Sequence, residues 1–193
     1  CLGGCYYDIE RSVNELDELL HFQFRGDEQY INAFVSDLYN VLERKIPKCN
    51  TFLVFSPASS GKNYFFDCIK DYYINVGAVS KMNKWNSFPL QDAEGRRLIF
   101  VNEPNYSDEW IDTLKMLCGG DSTNVSVKYK AEAPIYRTPL IVLTNNNLTI
   151  MTHPAFKDRI RQYNWEPAPY LASRHKKPWP IATYYLFAKY NLC

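Results

Sequence analysis

From Glu28 to Lys45 the chain reads EQYINAFVSDLYNVLERK, with apolar residues at Ile31, Phe34, Val35, Leu38, Val41 and Leu42. Steps of three and four residues put these side chains on one stripe of an amphipathic helix. Gly26-Asp27 supplies a break and an N-cap ahead of it, and Pro47 closes it. A sparser stripe through Val13, Leu16, Leu19 and Leu20 predicts a preceding helix. Residues 1–47 are thus expected to form a small helical subdomain with a packing or oligomerisation role, and residues 48–193 the main domain.

After Pro47 the pattern changes. Short continuous apolar runs, TFLVF (51–55), RLIFV (97–101) and PLIVLT (139–144), alternate with helical stretches. Such runs predict strands covered on both faces, as in a parallel sheet, so the expected fold class is α/β with a central, mainly parallel sheet. Between the second and third runs, Ser107 to Gly120 predicts a helix with Trp110, Ile111, Leu114 and Leu117 on one face. Ser107 is placed to cap it, and Gly119-Gly120 to stop it. The tail beyond Arg161, rich in Pro, Tyr and Trp, is expected to pack at the surface.

Composition narrows the class. With 193 residues, 46% of them hydrophobic and 16% aromatic, the chain can bury a large core. It starts at Cys1 rather than Met and reads as a segment of a longer protein, so any targeting signal lies beyond view. No apolar run approaches the roughly 20 residues that span a bilayer, so no membrane is expected as a partner. The net charge of +1 means that any nucleic-acid surface must be local. The basic run SRHKKPW (173–179) reads as a solvated surface turn. Six cysteines form no C-x-x-C pair, which argues against zinc; Cys68 and Cys118 read as small core hydrophobes in a reducing compartment.

The chemistry begins at FSPASSGKN, Phe55 to Asn63. It follows a buried strand and precedes a helical stripe through Phe65, Phe66 and Ile69, the setting a phosphate-binding loop requires. There, successive backbone N–H groups and the positive end of the helix surround an anion, and Lys62 reaches the outer phosphates. Ala58, Ser59 and Ser60 keep the backbone approachable, and Gly61 precedes the lysine. Ser56 stands where the G-x-x-x-x-G-K-[ST] pattern has glycine; followed by Pro57, it serves if that position is extended. Asn63 replaces the Ser/Thr and offers a neutral amide oxygen to Mg²⁺.

Further along, the second strand ends in Asn102-Glu103 and the third in Thr144-Asn145. A carboxylate at the carboxyl end of a neighbouring strand is placed to meet Mg²⁺ and the attacking water. Asn145, at the same edge, is placed to orient that water.

In this order the motifs resemble the superfamily 3 helicases of small DNA viruses, and most nearly the helicase domain of parvoviral nonstructural replication initiators, densovirus forms included. CNTFLVFSPASSGKN looks like the family's opening, NSFPLQDAEGRRLIFVNEPN like the segment leading into Walker B, and LKMLCGGDSTNVSVKYK like its helix, Gly-Gly and lysine hairpin. RTPLIVLTNNN and AFKDRI look like its sensor strand and arginine element. The resemblance covers about Asn50 to Arg161.

The resemblance implies an AAA+-type P-loop ATPase that assembles into a homo-oligomeric, hexameric ring in the host nucleus. Such a ring uses ATP and Mg²⁺ to move single-stranded DNA through its centre. By motif position, Ser56 to Asn63 would hold the nucleotide, with Lys62 on the β- and γ-phosphates. Asn63 and Glu103 would meet the metal. Glu103 would be the catalytic acid, Asn145 the sensor, and Arg159 the arginine finger offered to the neighbouring subunit. Lys128 and Lys130 would grip DNA; two apart on a strand, they share a face. Many relatives carry two acids where this chain has Asn102-Glu103, so a nucleotide-gated DNA-binding ring with weak or absent hydrolysis is the alternative. A P-loop kinase is a more distant one, since it has no use for the lysine hairpin.

Overall fold

The structure, a computed structural model, describes residues 4–193; Cys1 lies outside the described residues. Six α-helices, α1 (Ile9–Gln23), α2 (Glu28–Leu42), α3 (Lys62–Tyr73), α4 (Ile111–Gly119), α5 (Thr149–Thr152) and α6 (Ala182–Lys189), are described with seven strands. The strands are β1 (Thr51–Phe55), β2 (Val76–Ala78), β3 (Leu98–Asn102), β4 (Thr123–Val125), β5 (Ala133–Ile135), β6 (Leu140–Thr144) and β7 (Ile160–Asn164). The chain gathers into two compact units, one of residues 4–39, 56–74 and 164–193, the other of residues 40–55 and 75–163. These units do not follow a cut at residue 47.

In the first unit, α1 starts where the Asp8 carboxylate accepts the Arg11 N–H at 2.8 Å. Asp27 caps α2 in the same way, accepting the Gln29 N–H at 3.0 Å. The stripe of α2 buries Phe34, which meets Phe65 and Phe66 of α3 and the ring of Trp165. Trp165 is 2% exposed, and Leu186 and Phe187 of α6 are buried as well. The tail beyond Arg161 therefore supplies core rather than surface packing. Two helices of this length enclose too little apolar area alone, and α6, which packs on α1 and α3, adds to it. Arg174, in the basic run, is fixed by buried Glu15 at 2.8 Å and so is not simply solvated.

In the second unit a sheet runs in the order β2-β3-β6-β1-β7. The β2–β3, β3–β6 and β6–β1 pairs are all parallel, which establishes the α/β architecture with a central parallel sheet. Every residue of β6 is buried, as its continuous apolar run requires. The strand that ends at Asn102 neighbours β6 and not β1, so β6, which ends at Thr144, stands between β3 and β1. Register places Phe55 beside Thr144 and Asn102 beside Leu143, so β1, β6 and β3 end along one edge. Asn50 locks the opposite end: its buried amide donates to the Leu117 and Thr138 carbonyls at 3.0 and 2.7 Å.

The helix expected from Ser107 begins as a short 3-10 turn (Asp108–Trp110) before α4. The Ser107 hydroxyl makes no cap; it donates to the Met82 carbonyl at 3.2 Å. Cys118 is buried in this unit and Cys68 in the first, and burial pushes both thiols up to about 11. Both behave as core atoms, not nucleophiles.

Candidate active site

In the first unit, Ser56 is fully buried, and its hydroxyl pairs with that of Ser60 at 2.8 Å. The Lys62 N–H in turn donates to the Ser60 oxygen at 3.3 Å. Positive φ falls at Ser59 (+61°) and Gly61 (+82°), whereas Ser56 has none, so glycine is not required at the first position. A side chain at Gly61 would be strained by φ and would also collide with Leu171, 2.5 Å from an added Cβ. Pro57, Ala58, Ser59 and Asn63 are exposed, while Ser60 and Lys62 are buried. α3 begins at Lys62, so the positive end of its dipole lies beside this loop. Left-handed residues alternating with helical ones make a concave array of N–H donors suited to phosphate oxygens.

The outside of the loop is held by residues that no local pattern reveals. The Gln23 amide donates to the Ser60 carbonyl at 3.0 Å and to the Glu166 carbonyl at 2.8 Å, and it accepts the Glu166 N–H at 2.7 Å. The Ala168 N–H donates to the Ser59 carbonyl at 2.8 Å. These bonds turn two loop carbonyls outward. Gln23→Ala removes three hydrogen bonds, of which the one to the Ser60 carbonyl is part-buried and the two to Glu166 are exposed to water. It is expected to destabilise the chain by about 1–2 kcal/mol in urea denaturation.

In the second unit, Glu103 follows the last residue of β3 and has a φ of +53°, an uncommon conformation for glutamate. Its N–H is anchored to the Leu143 carbonyl at 2.8 Å. The carboxylate accepts the Asn145 N–H at 3.1 and 3.0 Å on its two oxygens. With its nitrogen turned toward the carboxylate, the only sense in which donor meets acceptor, the Asn145 side chain donates at 3.0 and 2.5 Å. The Thr144 hydroxyl lies 3.5 Å away. The structure therefore brings Glu103 and Asn145 together. Beside them is a cleft of about 370 Å³ lined by Asn105, Tyr106, Asp108, Asn146 and Thr149 among others.

Arg159 is three-quarters buried within the same unit. Its guanidinium donates to the Ala155 carbonyl at 2.9 Å, to the Lys115 carbonyl at 3.4 Å, and to Asp121 at 3.4 Å. Gly119 makes room for it, since an added Cβ there would stand 2.1 Å from the guanidinium nitrogen. Lys128 and Lys130 are exposed but not on a strand; β4 and β5 stop at Val125 and Ala133, and both lysines sit in the connecting turn. Strand alternation therefore does not align them. No described helix is long and apolar enough to cross a membrane.

The profile of the parvovirus non-structural protein NS1 family matches residues 27–162. The initiator protein NS1 of Junonia coenia densovirus is 45% identical over 187 residues, which cover 97% of this chain and 34% of the relative. That of Diatraea saccharalis densovirus is 44% identical over the same shares. The chain thus spans about a third of the length of these relatives. A solved JCV helicase structure is similar with a TM-score of 0.60 at 15% identity, over 93% of this chain and 61% of that one, which shows a common fold.

Proposed function

The chain belongs to the parvovirus non-structural protein NS1 family, and on that premise we propose that it is the ATP-driven helicase domain of a viral replication initiator. In this reading it hydrolyses ATP at the subunit interfaces of a hexameric ring and draws single-stranded DNA through the centre. The observation that carries the reading is the Glu103 carboxylate, held by Asn145 at the carboxyl edge of a parallel sheet. A carboxylate fixed by donors, beside an open cleft, can polarise a water and take its proton.

The loop from Ser56 to Lys62 binds the ATP phosphates through its N–H groups, and Lys62 adds a positive charge. Asn145 keeps Glu103 in one orientation. The family pattern assigns Mg²⁺ to Asn63 and Glu103; a neutral amide and a single carboxylate are hard oxygen donors that would hold it weakly. Such an ion would supply charge neutralisation to the phosphates. Arg159 leaves Asp121 and the two carbonyls to stabilise transition-state charge on a neighbouring subunit, a task suited to a guanidinium that never loses its proton. The exposed Asn63 and Asn102 amides favour a second reading, a nucleotide-gated DNA-binding ring that hydrolyses weakly.

ATP hydrolysis measured with and without single-stranded DNA tests the first reading, which expects stimulation; a parent protein that binds ATP without DNA-stimulated turnover would support the second. Arg159→Ala is expected to be inactive alone. Mixed with inactive Glu103→Gln subunits it should regain part of the activity, because some interfaces then combine an intact Glu103 with an intact Arg159. Full activity of Arg159→Ala alone would sink the shared site.

A further inference from the structure

Tyr129 stands at the apex of the loop 126–132 that joins β4 to β5, between Lys128 and Lys130. It is 93% exposed, and its φ is +63°. Neither circumstance follows from packing: a bulky aromatic residue avoids the left-handed region, and an aromatic ring in water forgoes its burial. Its one ring contact among the described residues is the Lys128 ammonium, 5.3 Å from the ring centroid.

The apex is presented by a defined frame. Val125, Ala133 and Ile135 are buried and anchor the two strands, whose register pairs Thr123 with Ile135 and Val125 with Ala133. The Lys130 N–H closes the turn on the Val127 carbonyl at 3.2 Å. Within the loop two lysines outnumber the single acid, Glu132.

We propose that Tyr129 is a base-stacking residue for unpaired nucleotides, with Lys128 and Lys130 holding the adjacent phosphates. The inference rests on the DNA-translocating reading and adds to it a contact with the bases themselves. An aromatic ring accepts any nucleobase, because every base has a π-face, and flanking ammonium groups bind the backbone without regard to sequence. Duplex DNA is a poor occupant, since its bases are already stacked. A lysine-only grip would require no aromatic residue in a conformation that aromatic residues avoid.

The test compares binding of the whole 193-residue chain to labelled oligothymidylate and to an abasic oligomer of the same length and charge, by fluorescence anisotropy at two salt concentrations. The parent is expected to prefer the oligomer with bases by roughly five- to a hundred-fold. Tyr129→Ala should lose that preference while keeping the abasic affinity, and Tyr129→Phe should retain it. Replacing both lysines with alanine should weaken both oligomers and flatten the salt dependence. A parent that binds both equally, or a Tyr129→Ala protein that keeps the preference, overturns the stacking site alone. A parent that binds neither oligomer overturns the DNA-translocating reading and the stacking site with it.

Discussion

Glu103→Gln is expected to lower ATP turnover by roughly 10²–10⁴-fold, about 3–5 kcal/mol of barrier, while nucleotide binding stays close to that of the parent. The substitution preserves the shape of the side chain and leaves an oxygen for the Asn145 N–H, 3.0 Å away in the parent. What it removes is the negative charge and the capacity to take a proton. A backbone already at φ +53° is no more strained by glutamine than by glutamate. Single-turnover hydrolysis measured alongside equilibrium binding of a labelled nucleotide separates the two effects. Turnover within a few-fold of the parent would remove Glu103 from the chemistry. Loss of binding together with turnover would make it a residue of nucleotide binding or folding instead of one confined to the chemistry.

Trp165→Ala is expected to cost about 3–5 kcal/mol of folding stability, read as a large fall in the urea midpoint. The indole is 2% exposed and lies 5.6 Å from Phe34 and Phe65 and 5.9 Å from Phe66, centroid to centroid. Removing it opens a cavity among three rings that cannot close without moving α2 and α3. Trp165→Phe is expected to cost far less, because the indole N–H is buried without a hydrogen-bond partner and its loss removes no bond. Equal stability of parent and alanine proteins would show that this aromatic cluster does not hold the first unit together.

The difference between what was legible and what was not follows the reach of each interaction along the chain. The stripe of α2, the apolar runs of β1, β3 and β6, and the glycine–lysine loop ahead of α3 are local patterns; the strands appear within a residue of their expected bounds, and α2 ends at Leu42, three residues short of Lys45. Glu103 and Asn145 were legible as strand-end residues, but their direct pairing was not, since it depends on β3 and β6 being neighbours. Gln23 escaped notice because its partners, Ser60 and Glu166, lie 37 and 143 residues away. The lysine pair was legible by type and misread by place: a short β4 and β5 leave both lysines in the turn, where the alternation of strands does not apply.

By itself the sequence determined the identity of the elements, the parallel character of the sheet and the order of the candidate chemical groups, because helix and strand periodicity and buried apolar runs act over a few residues. The tertiary structure alone decided that β6 lies between β3 and β1, that Asn145 bonds Glu103, and that Arg159 rests on Asp121. It alone decided, too, that Trp165 and α6 complete a core. Each of these depends on which distant segments pair or pack, and that is a property of the whole chain's burial, not of any short run of residues.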